Sequence, residues 1–300
     1  MKNRLLVTLT VLLVATSITA VKVQSNAFTS TPSLFTIGKG ARPLGLGGAF
    51  VGLADDGNAL LYNPAGLTQV VTPNLSSFYS NQFGSVNFGS VTLSKRNFGI
   101  SYLQLSSRGL TERDIYGSKI GEFDFASRGM VGAYANSFGA LSLGLQTKVF
   151  FPEARENAFG ISLSPGMIYE VDPFQVGMIV KNLVSTNSTS DQATKGAWSR
   201  KAIGGIAYQG ERFKIDLDIR AGLTEKGIES NLAKIGAEVL LFNCVTARAG
   251  ITSGLSSSIG FSLDMEGVRL NYTFSNHEEL AASHRFSVVV NLTGSPRNPV

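Results

Sequence analysis

The chain has 300 residues, of which 43% are apolar and only 16% are charged, below the roughly 25% charge of ordinary soluble domains, while Gly reaches 33. A lone Cys244 excludes an intramolecular disulfide framework. The net charge of +5 falls to about +2 once Lys2, Arg4 and Lys22 are set aside, which leaves no case for nucleic-acid binding.

At the N-terminus Lys2 and Arg4 precede an apolar run from Leu5 to Val14 broken only by Thr8 and Thr10, the pattern of a secretory signal peptide over residues 1–27. The run is too short for a membrane-anchoring helix, so cleavage is expected. Ser25-Asn26-Ala27 fits a cut after Ala27, with Ala20 as a second candidate. Residues 28–73 come next, and within them 38–69 do not alternate. They consist of Gly, small residues and two short helix-like pieces. Asp55-Asp56-Gly57-Asn58 offers caps for a helical turn through Leu61. Asn63-Pro64 places a cap before a Pro at a first helical position, with Gly66 able to end that turn. Leu44, Leu46, Phe50, Val51, Leu53, Leu60 and Leu61 demand burial, so the segment is expected to fold inside a pore.

From residue 74 to 292 apolar and polar residues alternate, the signature of strands with one face in each environment. Phe213, Ile215, Leu217 and Ile219 against Lys214, Asp216, Asp218 and Arg220 is the clearest case. Turn signals divide the ladder into fourteen strands: 74–80, 86–94, 97–106, 126–136, 139–150, 157–170, 173–184, 201–209, 212–221, 232–241, 244–252, 255–264, 267–275 and 283–292. Residues 293–300 form a tail. Every even strand but the last ends in a tight turn, and the long connections 107–125, 185–200, 222–231 and 276–282 follow odd strands. This parity predicts an all-β transmembrane antiparallel barrel with short periplasmic turns, outer loops and both termini in the periplasm. A soluble sandwich shares the alternation, but fourteen long strands would leave edges to protect and would not give that parity.

The run Gly40-Ala41-Arg42-Pro43-Leu44-Gly45-Leu46-Gly47-Gly48-Ala49-Phe50, then Ala54-Asp55-Asp56, Asn58-Ala59 and Asn63-Pro64-Ala65-Gly66-Leu67, resembles the N-terminal signature of FadL-like outer-membrane barrels, specifically their PorV/PorQ branch. The resemblance covers about 30 residues closely. It implies a fourteen-stranded barrel plugged by an N-terminal hatch holding the Asn-Pro-Ala element. FadL members import long-chain fatty acids and other hydrophobic compounds, whereas PorV members serve protein secretion. The chain is short for either branch.

If the apolar faces meet lipid, Lys148, Lys181, Lys214, Asp216, Asp218, Arg220, Glu238, Arg248, Asp264, Arg269 and Arg285 line the lumen. Such charges must pair, contact the hatch or sit in water, and Asp55 and Asp56 could meet basic wall residues. The Gly run 45–48 matches neither a dinucleotide fingerprint nor a P-loop. Asp55, Asp56 and Asn58 lack a calcium-binding loop, and His277 with His284 make a poor metal site. Nothing assembles a nucleophile, base and orienting acid, so neither an enzyme nor a cofactor is expected. The expected partners are outer-membrane lipid, a hydrophobic or amphipathic ligand, and an envelope protein. Transport of a small hydrophobic or amphipathic solute is the leading reading; a PorV-like binding or assembly role is the alternative.

Overall fold

The computed structural model describes residues 33–82, 86–151, 160–187, 198, 200–224, 227–254, 256–276 and 282–293; the expected signal peptide lies outside them. Among the described residues four short helical pieces come before the strands: α1 (Ser33–Thr36), α2 (Ala41–Gly45), α3 (Ala59–Tyr62) and a 3-10 turn, Pro64–Gln69. Fifteen strands follow: β1 (Asn74–Gln82), β2 (Val86–Lys95), β3 (Phe98–Arg113), β4 (Lys119–Phe138), β5 (Leu141–Phe151), β6 (Gly160–Val171), β7 (Phe174–Lys181), β8 (Val184–Asn187), β9 (Arg200–Gln209), β10 (Phe213–Thr224), β11 (Gly227–Phe242), β12 (Val245–Thr252), β13 (Ser256–Met265), β14 (Val268–Asn276) and β15 (Ser283–Asn291). All pairings are antiparallel. β1 closes the ring on β15 from Asn74↔Asn291 to Asn81↔His284, so β1–β7 and β9–β15 form a closed fourteen-stranded barrel with no free edge.

The alternation sorts in from out. On β10 Leu217 and Ile219 are 42% and 55% exposed, while Asp216 and Asp218 between them are 0% and 1% exposed. Leu143, Leu145, Val176, Met178, Ile206, Ile259, Phe261 and Phe286 are likewise exposed. A sandwich in water would reverse this. An apolar outer skin around a polar interior is the arrangement a bilayer stabilises. Leu217→Arg places a charge on that skin at mid-strand and should cost roughly 2–4 kcal/mol at the bilayer midplane. It should slow assembly, read as loss of heat-modifiable migration on a gel; wild-type migration would place Leu217 out of the lipid.

The structure corrects three boundaries. The expected loop 107–125 is mostly strand: β3 and β4 stay paired to Arg113↔Lys119, around a turn at Asp114–Ser118. The expected loop 222–231 is also a hairpin, paired to Thr224↔Gly227. Beyond the membrane a strand needs no apolar face, so main-chain pairing continues where the alternation stops. The expected strand 173–184 ends at Lys181. Asn182 takes a positive φ of 57°, and the chain resumes as β8 on β6 alone. The break faces Ser164-Pro165, and Pro165 has no N–H to give the ladder.

Candidate functional site

Residues 33–70 pack against the inner face of the wall. α2 touches β12–β15, α1 and α3 touch β3 and β4, and the 3-10 turn touches β4–β6. The largest apolar core of the protein lies between this segment and the wall, with Leu46, Phe50, Leu53, Leu60 and Leu67 fully buried. α3 is not capped as expected, because Asn58 makes no side-chain cap bond. Asp56 instead accepts from the Asn58 backbone and side chain, at 2.8 and 2.9 Å. Asn63 does cap, accepting from Ala65 N at 3.3 Å. Its amide nitrogen donates to Val51 O and to Met167 O of β6, both at 3.0 Å, tying the segment to itself and to the wall. Gly66 does not end the turn; it lies inside it, and a Cβ there would collide with the Ala54 carbonyl.

An ion network holds the other side. Arg42, buried at 5% exposure, donates from Nε and Nη2 to both Glu238 oxygens of β11 at 3.0 and 2.6 Å. Its Nη1 reaches Asp55 Oδ1 at 2.5 Å and Asp56 Oδ2 at 2.9 Å. Lys214 of β10 pairs with Asp55 at 2.7 Å, and Arg248 of β12 pairs with Glu238 at 2.7 Å. Burial alone would raise the Asp55 carboxyl, but Arg42 and Lys214 hold it well below the usual carboxylate range. The expectation that Asp55 and Asp56 meet charges is met by Lys214 on the wall for Asp55 alone; both bind Arg42 of their own segment.

Asp216 and Asp218 are backbone receptors. Asp218 accepts from Phe50 N at 2.9 Å and Val51 N at 3.0 Å, and reaches Gly52 N at 3.4 Å; Asp216 accepts from Leu53 N at 3.1 Å. Around the rest of the wall the segment's polar backbone meets Thr273, which donates to Ala41 O at 2.6 Å, and Ser258, which accepts from Gly47 N at 3.0 Å. Gln146 donates to Leu60 O, and Lys234 Nζ to Gly48 O at 3.2 Å. These bonds answer the polar groups that a coiled segment buries. Asp264 and Arg269 pair only with each other, at 2.5 Å near the β13–β14 turn. Arg285 bonds Ser275 on the neighbouring strand. Lys148, Lys181 and Arg220 stand beyond the network, on the long-hairpin side.

Sequence reasoning missed the glycines of the seat. Gly144, Gly166, Gly177, Gly205, Gly236 and Gly250 sit on the lumenal phase of β5, β6, β7, β9, β11 and β12, several directly paired across strands. A Cβ at Gly144 would lie 2.5 Å from Ala65 N, and one at Gly236 would lie 2.5 Å from Leu46 O. At Gly177 it would strike Val51 O, at Gly205 Gly52 N, and at Gly250 Gly47 N. The wall here lacks side chains because the segment's own backbone occupies their space. The available signal was Gly recurring on polar-phase positions of neighbouring strands. Gly177→Ala should therefore loosen the segment by about 1–3 kcal/mol, the usual cost of overpacking. Faster proteolysis of residues 33–70 would register it. Gly204→Ala, where nothing lies within 4 Å, should leave the digestion pattern unchanged.

No protein-family model and no curated protein matches the sequence. Solved structures do match. The "CymD monoaromatic hydrocarbon channel" aligns at a TM-score of 0.60 and 14% identity, over 84% of this chain and 97% of that one. The Ralstonia pickettii toluene transporter TbuX aligns at 0.56 and 12%, over 85% and 98%. A Pseudomonas aeruginosa FadL homologue aligns at 0.53 and 10%, over 83% and 97%. The likeness lies in the fold: a closed antiparallel barrel of the FadL-type outer-membrane channels.

Proposed function

We propose that this protein is a plugged outer-membrane channel for small hydrophobic or amphipathic solutes, with residues 33–70 as the plug and both termini and the short turns on the periplasmic side. One observation carries the reading. Against the rule that polar faces line the interior, the lumenal positions of β1–β5 include Phe78, Phe88, Leu103, Leu105, Val131 and Phe150, all nearly or fully buried. A pore meant only for water would have no use for that arc. α1 and Trp198 cover it now, with Phe35 stacked on Trp198 at 5.4 Å between ring centroids. A greasy solute can replace those side chains at little cost, since apolar contact is non-directional. Barrels similar in fold to this one include channels named for toluene and other monoaromatic hydrocarbons, which supports the same solute class. The PorV/PorQ resemblance rests on residues 40–67.

Initial uptake of labelled toluene should rise in cells producing the protein and fall back with Phe88→Asp and Leu103→Asp, provided both variants reach the outer membrane. Uptake indifferent to the protein would sink the transport reading. A specific envelope protein co-purifying under those conditions would move the assignment to an assembly role.

A further inference from the structure

The plug divides the lumenal charges unevenly. On the short-turn side every acid of the Arg42 network has a basic partner. On the long-hairpin side, one or two lumenal positions beyond the seat glycines, β5, β7, β9, β10 and β11 present Lys148, Lys181, Lys201, Arg220 and Lys234, and the plug adds Lys39. Lys181 and Lys201 stand directly opposite each other in the β7–β9 ladder, where Cβ atoms lie about 4.5–5.5 Å apart and like charges repel. Lys201 is opposite Gly222, which makes Arg220 its diagonal neighbour, and Arg220 is in turn diagonal to Lys234. Lys148 is 6% exposed, and its electrostatic neighbours are Lys181, Lys39 and Lys201.

Among the described residues no carboxylate forms an ion pair with any of the six. The nearest acid is Asp218, and its oxygens accept from the plug backbone. Lys148 has the Asn182 amide oxygen at 2.9 Å, Lys39 the carbonyls of Phe35 and Ile37 at 2.9 Å, and Lys181 the face of Tyr62 at 5.6 Å. These are neutral partners. Burial, with Lys181 behind it, pushes the Lys39 ammonium down to about 7. Lysine carries a compact charge suited to phosphate, and several converging on one cavity focus a field on a dissolved anion.

We infer that this basic ring is a binding site for a multivalent oxyanion, inorganic phosphate or a phosphate ester, entering from the hairpin side. A greasy acid would need an open apolar wall beside the charges, but Phe150 beside Lys148, Ile179 beside Lys181 and Ile203 beside Lys201 are buried, and the apolar arc of β1–β5 is covered by Leu34, Phe35 and Trp198. Lys39 and Lys148 are buried, and Lys181, Lys201, Arg220 and Lys234 are half-buried. An ion of more than one charge can offset several ammonium groups at one site at once. The inference concerns the ring alone and holds whether or not toluene crosses.

The test is calorimetric titration of the full chain in detergent with pyrophosphate, phosphate and laurate at low ionic strength. Pyrophosphate should bind, phosphate more weakly, and Lys181→Gln with Lys201→Gln should weaken pyrophosphate at least tenfold while heat-modifiable migration stays normal. Lys201→Glu sets an opposite charge against Lys181. It should abolish binding and raise the unfolding temperature, an outcome that a fold defect could not give. Absence of pyrophosphate binding, equal binding by the double variant, or laurate displacing pyrophosphate through the same lysines would each overturn the proposal, the last in favour of a monocarboxylate amphiphile.

Discussion

Deleting residues 38–69 from the otherwise intact chain should give a barrel that conducts ions in planar bilayers, where the full protein stays closed. The wall does not need this segment to close. β1 pairs directly with β15 over eight positions, and every other strand of the ring is bonded to its two sequence neighbours, counting β7 beside β9. What the wall offers the segment is acceptors and empty space: Asp216 and Asp218 for four backbone N–H groups, and a belt of glycines against its backbone. Once the segment is gone, water takes the same positions. Asp216, Asp218, Glu238 and Lys148 then become hydrated rather than buried, which removes a desolvation cost from the wall. The segment spans the lumen from the β12–β14 side to the β4–β6 side, so its removal should clear the cross-section it blocks. Recordings in which the truncated and full proteins are equally silent would refute the plug, once heat-modifiable migration shows the truncated barrel folded.

The wall was legible in the sequence because a bilayer enforces a period of two over nearly every strand that crosses it, and the tight turns mark its short end. Its extensions were not. Residues 108–113 and 119–124 are exposed or half-buried on both faces, so nothing selects their alternation, and a paired hairpin reads as a loop. The break at Asn182 depends on one αL residue set against Pro165, too local for a periodic signal. Residues 38–69 were legible as a segment that could not be wall, and Arg42, Asp55 and Asn63 were marked by the family resemblance. Their partners were not. Glu238 and Met167 come from strands far along the chain, and their registry is set by the ring as a whole. The glycine seat was hidden for a different reason. Gly fits either phase of an alternating pattern, so Gly144 and Gly177 read as neutral polar-face positions, while their use is steric and appears only with the plug in place. Lys201 escaped because its lumenal phase continues as Ile203 and Gly205, which carry no charge to flag it.

Arg42→Met should release the plug without dismantling the wall. Among the described residues Arg42 is the one cation that touches Asp55, Asp56 and Glu238 together. Breaking a buried pair typically costs 3–5 kcal/mol because a charge is stranded. Here the lower end applies, since Lys214 remains on Asp55 and Arg248 on Glu238. About 3 kcal/mol corresponds to roughly a hundredfold shift between seated and released plug, at 1.4 kcal/mol per tenfold. Open probability in bilayer recordings should rise by that order. Arg42→Lys should recover little, because an ammonium cannot span the Glu238 fork and both aspartates at once. Combining Arg42→Met with Asp56→Asn should recover part, because among the described residues Asp56 is the one carboxylate of the three left with no other cation. Acid does not break the Arg42–Asp55 pair in the same range. The folded carboxyl of Asp55 lies below its ordinary value of 3.8, so its stabilising contribution is full above that value and lost only as pH falls below it. The Arg42–Asp55 pair should therefore hold unchanged from pH 8 to pH 5, while Arg42→Met gates throughout that range. If Arg42→Met is as silent as the wild type, and its segment is digested no faster, the ion network does not hold the plug and the glycine seat alone must.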